Sequence, residues 1–534
     1  MSDLGLKSEP RAIDGRLEAI LFIGIVTCGA MARLSTLGFD SLWHDEGYTQ
    51  AIIRLPFHHL LTVPYDNHPP GYYALEKLWV GDRTASEYML RLPSAIASIL
   101  TFVPVYFLAR QLMGGVGALA TIAVYACSFE DLVYAGDARS YAVLSMYLLT
   151  SLLSLYMAFK NFKLTAGPRS WSVFGWIGLY VLSASAAVYT HNVAVLFIIS
   201  ANAIFVFQIF VGNRELLWRA IIFCVLLNAP VVLVWLPYAV SIPSTMGWVK
   251  GWLQQPGPKT AFLMLLAVLL PNWTGIAGAV ASLLGMGAGF ALMVRQRGDL
   301  FYVTLFLALL FPLTVWAAGF VITPVFLDRT LLVAQVGAAL LIGAVAAFLR
   351  PAPVAIGVFV VSFLPYVASS IAYLERTGQE GSYSGHIIQN WRGLLRRPAS
   401  SRTSPDAIIL CDDFSYPTTR YYAPDKAIYV LRGDQSLLGL TDAAWLYLYG
   451  LPVKERLTRV SDHIADLQKS GQVELPNWDE FARRYKNVWT ARATALCAPE
   501  FDKLISGQLE ARDFAPPRDV STNGVAAQEF TRKN

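Results

Sequence analysis

Long apolar runs separated by short polar connections fill the first 373 residues of this 534-residue chain. A helix that crosses a bilayer needs roughly 20 mainly apolar residues. Spans of about that length are predicted near 17–39, 92–112, 114–135, 139–159, 171–189, 192–212, 217–240, 273–294, 300–322, 330–349 and 353–373. A shorter apolar run at 259–271 ends at a proline and predicts a re-entrant or interfacial helix. The number of predicted spans is odd, so the two termini are expected on opposite sides of a membrane.

The pattern changes after the last predicted span. Residues 374–402 form a polar connector, and residues 403–534 have the short runs that are typical of a small soluble α/β domain. Strands are predicted at Ala407–Cys411, Ala427–Leu431 and Asn487–Ala491, and an amphipathic helix is predicted at Val460–Gln468. The last twenty or so residues are polar and are predicted to be a disordered tail. We therefore expect a membrane domain at 1–373 with a long outer loop at 40–91, then the connector, then the α/β domain.

Composition excludes an ordinary soluble enzyme. Hydrophobic residues make up 55% of the chain and charged residues only 15%, whereas soluble domains are about 25% charged. Residues 1–16 are polar, and the first apolar run has spanning length without a small-residue cleavage site, which predicts a retained signal anchor. The chain contains no GxxxxGK[ST] phosphate loop, so an ATP-driven pump is disfavoured. We expect membrane lipids as partners and no nucleic acid.

Basic residues are unevenly distributed between the two sides of the predicted membrane domain. With a cytoplasmic N-terminus, the short inner loops contain nine basic residues: Arg110, Lys160, Lys163, Arg169, Arg214, Arg219, Arg295, Arg297 and Arg350. The short outer connections contain four: Arg139, Lys250, Lys259 and Arg329. Because cytoplasmic loops carry the excess of Lys and Arg, we predict a multi-pass protein of the cell (inner) membrane. Its C-terminal domain is expected outside the cytoplasm.

An acidic pair follows the first predicted span, in the sequence Trp43-His44-Asp45-Glu46. Ionisable residues at a membrane boundary are costly unless they are paired or functional, so the pair is a candidate active site. The alternative is that Asp45 and Glu46 only cap a helix at the water interface. The same orientation places His191 and the candidates named below on the outer side, as expected for an extracytoplasmic active site.

Three further polar clusters are predicted on the outer side, and each has a structural alternative. His68 is followed by two prolines that hold it in extended geometry, although it could simply cap a helix. Asp137 and Arg139 precede the fourth span and could pair with each other. Arg329 precedes the tenth span, where it could extend to the headgroups or bind a phosphate with its planar guanidinium group.

The chain contains five cysteines, of which Cys28, Cys127 and Cys224 lie in apolar runs. Those three are expected to be inert core residues. Cys411 and Cys497 lie in the polar C-terminal part and could pair if that part faces an oxidising compartment.

The ordered set of polar motifs resembles that of a known family. The set comprises Asp45-Glu46, His68-Pro69-Pro70 with following tyrosines, Asp137-x-Arg139-x-Tyr141, Arg329 before a late helix, and Asn390-Trp391-Arg392. It is similar to the C-type (GT-C) glycosyltransferases that use polyprenyl-phosphate sugars. Within these it most resembles protein O-mannosyltransferases, the aminoarabinose transferase of lipid A and rhizobial lipid A galacturonosyltransferases. The similarity covers about residues 15–395, and Asn390 stands where an Asp is expected, so no catalytic role is transferred to it.

The resemblance implies an inverting transfer of a sugar from a polyprenyl-phosphate donor to a lipid A, glycolipid, polysaccharide or protein acceptor. A base must accept the proton of the acceptor hydroxyl, and the resemblance gives that role to Asp45, with Glu46 or Asp137 orienting the acceptor or tuning the base. A cation must stabilise the leaving phosphate. Arg329 is the first candidate for this cation.

Other candidates and other functions stay open. Lys250, Arg139 and His68 are further donor-binding candidates, and carboxylates near His68 could bind a divalent metal ion, although no ligand spacing requires one. A secondary transporter would place ionisable residues near the middle of its spans and would have two similar halves, which the sequence does not suggest. A ligase or flippase acting on lipid-linked sugars shares this composition and is the remaining alternative.

Overall fold

The computed structural model describes residues 9–62, 66, 68–81, 85–165, 171–212, 214–240, 253–296, 298–322, 324–376, 389–396, 404–432, 435–449, 464–494, 497–522 and 525–533. These residues form two compact units. The membrane unit comprises Met1–Ser35, Asn67–Tyr72 and Arg91–Glu375. The α/β unit comprises Thr36–Asp66, Tyr73–Leu90 and Arg376–Asn534. The outer loop, which was grouped with the membrane helices in the sequence-based prediction, thus contributes most of its residues to the α/β unit.

Helices dominate the described residues. In chain order they are α1 Gly15–Leu34, α2 His44–Ile52, α3 Phe57–Thr62, α4 Gly71–Val80, α5 Glu87–Ala126, α6 Phe129–Ala135, α7 Tyr141–Thr165, α8 Trp171–Thr190, α9 Val193–Gly212, α10 Leu217–Ala239, α11 Pro258–Leu269, α12 Gly275–Gln296, α13 Asp299–Leu305, α14 Phe311–Val321, α15 Ala334–Phe348, α16 Ala352–Arg376, α17 Trp391–Leu395, α18 Tyr416–Tyr422, α19 Asp442–Tyr449, α20 464–469, α21 Trp478–Arg484 and α22 Glu500–Glu510. The amphipathic helix predicted at Val460–Gln468 overlaps α20, and its first residues lie outside the described ranges.

Within the described ranges, nine helical segments are long and apolar enough to cross a membrane. They are α1, α5, α7, α8, α9, α10, α12, the continuous segment from α13 to α14, and α16. A π-helical turn at Phe306–Leu310 joins α13 to α14. The polytopic helical fold expected from the sequence is therefore confirmed, with fewer full-length spans than the eleven predicted.

Two predicted spans correspond to the single helical segment α5. Its backbone is non-helical at Gly114, where φ is +72°. Glycine adopts this left-handed conformation without the steric cost that a side chain imposes, so the chain bends there without a polar loop. The second of the two predictions, at 114–135, is too long: α5 ends at Ala126, and α6 begins at Phe129 after Ser128.

Two apolar helices are shorter than a full span. Helix α11 has 12 residues and lies where a short re-entrant or interfacial helix was predicted. Helix α15 has only 15 residues, or about 22 Å at 1.5 Å per residue. The prediction of a full span at 330–349 is therefore too long. The chain makes a 3₁₀ turn at Asp328–Thr330 before this helix begins.

Small residues allow α15 to pack closely in the core of the membrane unit. A Cβ on Gly289 of α12 would lie 1.9 Å from the carbonyl oxygen of Leu341, and a Cβ on Gly337 would lie 2.7 Å from the backbone nitrogen of Ala308. Such close approach of backbones is the usual basis of helix association in a bilayer. Apart from two partly buried residues, every residue of α15 is buried by these neighbours.

The α/β unit contains one six-stranded sheet with the order β3-β2-β1-β4-β6-β5. Its strands are β1 Ala407–Leu410, β2 Ala427–Leu431, β3 Leu437–Leu440, β4 Asn487–Ala493, β5 Arg518–Asp519 and β6 Val525–Thr531. Strand β1 is parallel to β2 and β4, which lie on either side of it, whereas β3, β6 and β5 pair antiparallel with their neighbours. A disulfide joins Cys411, directly after β1, to Cys497, which follows β4.

The prediction of a disordered C-terminal tail is wrong. Residues Val525–Thr531 form β6, which pairs along its whole length with β4, and Phe530 is fully buried. Val525 and Ala527, on the opposite face of the strand from Phe530, are also buried, so both faces of β6 contribute buried residues. Composition alone misses this strand because its stability depends on β4.

Candidate functional site

The acidic pair lies in the first turn of α2, in the α/β unit. Glu46 is 1% exposed, and its Oε2 accepts a hydrogen bond from the backbone N–H of Trp43 at 3.3 Å. Asp45 is less buried, and its Oδ1 lies 3.4 Å from Nε2 of His44. Carboxylates are stabilised in the first turn of a helix by its backbone N–H groups and dipole. Glu46 therefore has a capping contact, whereas Asp45 keeps partial access to solvent.

Close packing fixes the start of α2 within the α/β unit. A Cβ on Gly47 would lie 2.0 Å from Oγ1 of Thr418, so only glycine fits against α18 at this position. The Thr418 hydroxyl donates to the carbonyl of Trp43 at 3.4 Å, and the Leu42 N–H donates to the Tyr422 hydroxyl at 2.7 Å. The position of the acidic pair therefore depends on residues more than 370 positions later in the chain, since Thr418 and Trp43 are 375 residues apart.

The membrane unit brings a second group of candidates together. The imidazole rings of His68 and His191 are stacked with their centroids 3.9 Å apart and their planes 27° apart. Gly71 allows the segment that carries His68 to lie against the end of α8, because a Cβ there would be 2.6 Å from the carbonyl oxygen of Tyr189. Tyr141 extends the group, with its ring centroid 5.9 Å from that of His191.

His191 is buried between α8 and α9. Its Nδ1 accepts a hydrogen bond from the backbone N–H of Val193 at 3.1 Å, so a neutral ring carries its proton on Nε2. Burial, and then the electrostatic influence of His68, Arg329 and Arg139, holds the pKa of His191 well below its ordinary value. His191 is therefore neutral at physiological pH. Its Nε2–H can donate a hydrogen bond, but the ring carries no positive charge.

Arg329 provides the permanent positive charge of this group. Its guanidinium carbon lies 5.5 Å from the centroid of the Tyr141 ring, a cation–π contact. The neighbouring Asp328 accepts hydrogen bonds from the Arg329 backbone N–H at 2.8 Å and from the Tyr134 hydroxyl at 3.0 Å. We refer to His68, His191, Tyr141 and Arg329 as the histidine–arginine cluster.

Asp137 and Arg139 lie in the turn that leads into α7, and both are buried. The Arg139 N–H donates to the Asp137 carbonyl at 2.8 Å, and the Arg139 carbonyl accepts from Ser94 Oγ at 3.1 Å. Ser94 Oγ in turn lies 3.1 Å from the Tyr72 hydroxyl. The backbone of this turn is therefore tied to α5 and, through Tyr72, to the segment that carries His68.

Some residues of the site were not named as candidates from the sequence. Glu130 of α6 accepts from Asn272 Nδ2 at 3.3 Å, and burial, followed by the nearby charge of Asp328, raises the pKa of Glu130 to about 8. A signal was available, because an acid within an apolar run is costly and is often functional. His191 was expected on the outer side without a role, and Asp328 was not among the candidates.

Lys250 lies outside the described residues. Within the described part of the chain, no group of three or more His, Cys, Asp or Glu side chains is placed to hold a metal ion. The described candidates offer carboxylates, imidazole rings and a guanidinium cation.

Comparisons with known proteins support the fold. No family model matches the sequence, and no curated protein matches it either. Among solved structures, ArnT from Cupriavidus metallidurans in the apo state is similar over 96% of this chain and 97% of its own, with a TM-score of 0.58 and 12% identity. The structure of the same protein bound to undecaprenyl phosphate is similar over 97% of this chain and 98% of its own, with a TM-score of 0.59 and 13% identity. The chain therefore has the fold of these ArnT structures, including both the membrane helices and the C-terminal sheet.

Proposed function

We propose that the protein is an integral membrane glycosyltransferase that moves a sugar from a polyprenyl-phosphate donor to an acceptor outside the cytoplasm. The sugar is a hexosyl, pentosyl or uronosyl group, and the acceptor is lipid A, another glycolipid, a polysaccharide or a protein. The similar fold of ArnT bound to undecaprenyl phosphate supports a lipid-linked phosphate donor.

The histidine–arginine cluster is the observation that carries the proposal. When the sugar leaves a polyprenyl phosphate, the phosphate gains negative charge, and a preorganised cation with N–H donors lowers that barrier. Arg329 supplies the cation, and its position over Tyr141 orients the guanidinium group. The neutral ring of His191 adds a donor without a second charge. We assign Arg329 to the phosphate, with Arg139, Lys250 and His68 as further donor-binding residues.

We assign the role of general base to Asp45. Inverting displacement requires a carboxylate that accepts the proton of the acceptor hydroxyl as the hydroxyl attacks the anomeric carbon. Asp45 is the more exposed member of the acidic pair, since the Glu46 carboxylate is buried and contacts the Trp43 backbone. Glu46 and Asp137 are assigned to orienting the acceptor or tuning the base.

Two observations support an extracytoplasmic site. The nine basic residues of the short inner loops outnumber the four of the outer connections. The disulfide between Cys411 and Cys497 is typical of a domain in an oxidising compartment. We therefore propose a cytoplasmic N-terminus and an α/β unit on the outer side of the inner membrane.

The test uses the full-length protein in nanodiscs with undecaprenyl-phosphate hexose, pentose and uronic acid donors and a cell-envelope extract. Release of undecaprenyl phosphate together with a sugar-labelled acceptor, identified by mass spectrometry, is the expected result. Mass spectrometry of envelope glycans from a deletion strain should show loss of the same sugar. Movement of the donor between leaflets without any transfer would instead establish a flippase or transporter.

A further inference from the structure

A series of polar contacts leads from α17 to Asp45 within the α/β unit. Oε1 of Gln389 accepts hydrogen bonds from the backbone N–H of His44 at 3.1 Å and from the indole N–H of Trp391 at 3.0 Å. Because a carboxamide oxygen only accepts and its nitrogen only donates, these two donors determine which end of the Gln389 amide faces the imidazole. Nε2 of Gln389 lies 2.8 Å from Nδ1 of His44.

This geometry determines the position of the proton on His44. The Gln389 nitrogen donates, so Nδ1 of His44 accepts and carries no proton. The ring proton of a neutral His44 is then on Nε2, which lies 3.4 Å from Oδ1 of Asp45.

Gln389 and Trp391 are buried, whereas His44 and Asp45 keep partial access to solvent. Trp391 and Gln389 are 0% and 4% exposed, and the side chains of His44 and Asp45 are 12% and 19% exposed. The rings of Trp43 and Phe414 meet the imidazole edge-on, with centroids 4.8 Å and 6.4 Å away. Among the described residues, the charged groups that face His44 are Asp45 on its own helix and Asp412 in the loop after β1.

We propose that Gln389 and His44 are positioning residues for Asp45: Gln389 holds His44 as the Nε2–H tautomer, and this N–H orients the Asp45 carboxylate. The inference rests on the proposed role of Asp45 as base. A neutral donor orients the carboxylate without stabilising its charge as strongly as an imidazolium would, and so preserves its basicity.

The substitution Gln389→Glu separates this role from a merely structural one. Glutamate keeps the shape and keeps an acceptor for the His44 and Trp391 N–H groups, but it replaces the donor at Nδ1 with a second acceptor. His44 should then become doubly protonated. Gln389→Met keeps the volume and removes all three contacts. Gln528→Glu, on β6 of the same unit, introduces the same charge elsewhere and is the control.

The first measurement is nitrogen NMR of the full-length protein in nanodiscs, labelled at its seven histidines, with His44 assigned by loss of its signal in His44→Asn. We expect a neutral ring with an unprotonated Nδ1 in the wild type and in Gln528→Glu, and an imidazolium in Gln389→Glu. A wild-type His44 protonated on Nδ1 would overturn the proposal.

The second measurement is release of undecaprenyl phosphate from an undecaprenyl-phosphate sugar as a function of pH. Gln389→Glu should move the acidic limb of the kcat profile to lower pH and lower its plateau about tenfold, because Asp45 becomes a weaker base. Gln389→Met should lower kcat by about 10–100-fold through loss of orientation, with the donor KM unchanged. A wild-type profile in Gln389→Glu would leave these residues a structural role only and refute the proposal. A wild-type protein that releases no undecaprenyl phosphate would contradict the proposed function instead, and the NMR result would still decide the tautomer.

Discussion

The imidazole of His68 lies directly against that of His191, with 3.9 Å between the ring centroids. Two imidazolium ions at this separation would repel strongly, so protonation of one ring opposes protonation of the other. With Arg329 and Arg139 also acting on His191, the stack favours a neutral His191. Arg329 therefore supplies a charge that His191 does not, because arginine does not lose its proton in the physiological range.

The first prediction concerns acid stability. The pKa of His191 is lower in the folded protein than the ordinary value of about 6.5 for an unfolded chain. Its contribution to stability is therefore complete above pH 6.5 and is lost as the pH falls below that value. His191→Asn keeps an acceptor for the Val193 N–H but cannot be protonated, so its Tm should decrease less than that of the wild type between pH 7.5 and 5.

Thermal unfolding in detergent, followed by intrinsic fluorescence, measures this difference. His58→Gln is the matched control because His58 is exposed on α3, and it should keep the wild-type pH dependence. Equal decreases of Tm in wild type and His191→Asn would contradict the buried neutral state of His191.

The second prediction concerns the alkaline side. Burial, followed by the charge of Asp328, raises the pKa of Glu130 from 4.5 to about 8. The protonated form of Glu130 therefore contributes its full stability below about pH 4.5. This contribution is lost as the pH rises through about 8. Glu130→Gln keeps an acceptor for Asn272 and cannot ionise. Its Tm should therefore change less than that of the wild type between pH 6 and 9, whereas the exposed control Glu510→Gln should behave like the wild type.

The third prediction separates phosphate binding by Arg329 from an interaction with headgroups. Lysine keeps the charge but lacks the planar fork that binds phosphate in a bidentate manner and stacks on Tyr141. Arg329→Lys should therefore raise the KM for the polyprenyl donor, lower kcat, or both, by about tenfold, with little change in Tm. Donor-dependent turnover in nanodiscs measures this effect, with the exposed Arg295→Lys as the control. Kinetics identical to the wild type would remove Arg329 from the site.

The fourth prediction distinguishes the two acids of α2. Asp45→Asn should lower turnover by about 10²–10⁴-fold, typical of the loss of a general base, without loss of stability. Glu46→Ala should lower the free energy of unfolding by about 1 kcal/mol, because it removes the acceptor of the Trp43 N–H at the start of α2. Turnover and chemical unfolding of both variants test this contrast. Normal turnover in Asp45→Asn would transfer the role of base to Glu46 or Asp137.

The fifth prediction is topological. A reporter that is active only outside the cytoplasm should be silent when fused after Arg350 and active when fused after residue 400, because one helix, α16, spans Ala352–Arg376 between these points. Activity at Arg350 together with silence at residue 400 would reverse the proposed orientation.

The sequence predicts those elements that carry their own signal. Helix α9 was predicted at 192–212 and is found at Val193–Gly212, because an apolar run of spanning length needs no information from elsewhere in the chain. The break predicted after residue 112 coincides with the change of conformation at Gly114. Strand β6 was missed, since this short strand is stable only beside its partner, here β4.

The same reasoning applies to the candidate site. His68 and Arg329 were selected from their positions beside prolines and before a helix, and the fold brings both into one cluster through Tyr141 and His191. The contact of His44 with Gln389 joins residues 345 positions apart. No local pattern in the sequence indicates such a pair, because the contact forms only when two segments that are distant along the chain fold together.

The division of the α/β unit between the two ends of the chain has a consequence for biosynthesis. The backbone N–H of Leu42 donates a hydrogen bond to the hydroxyl of Tyr422, a residue that the ribosome adds 380 residues later. At roughly 5–20 residues per second, α2 waits on the order of 20–80 s for the surface against which it packs. During this interval every membrane helix after α1 is synthesised, so Asp45 reaches its final environment only when the protein is nearly complete. A truncated or stalled chain would therefore insert its helices but would lack the surface against which α2 packs.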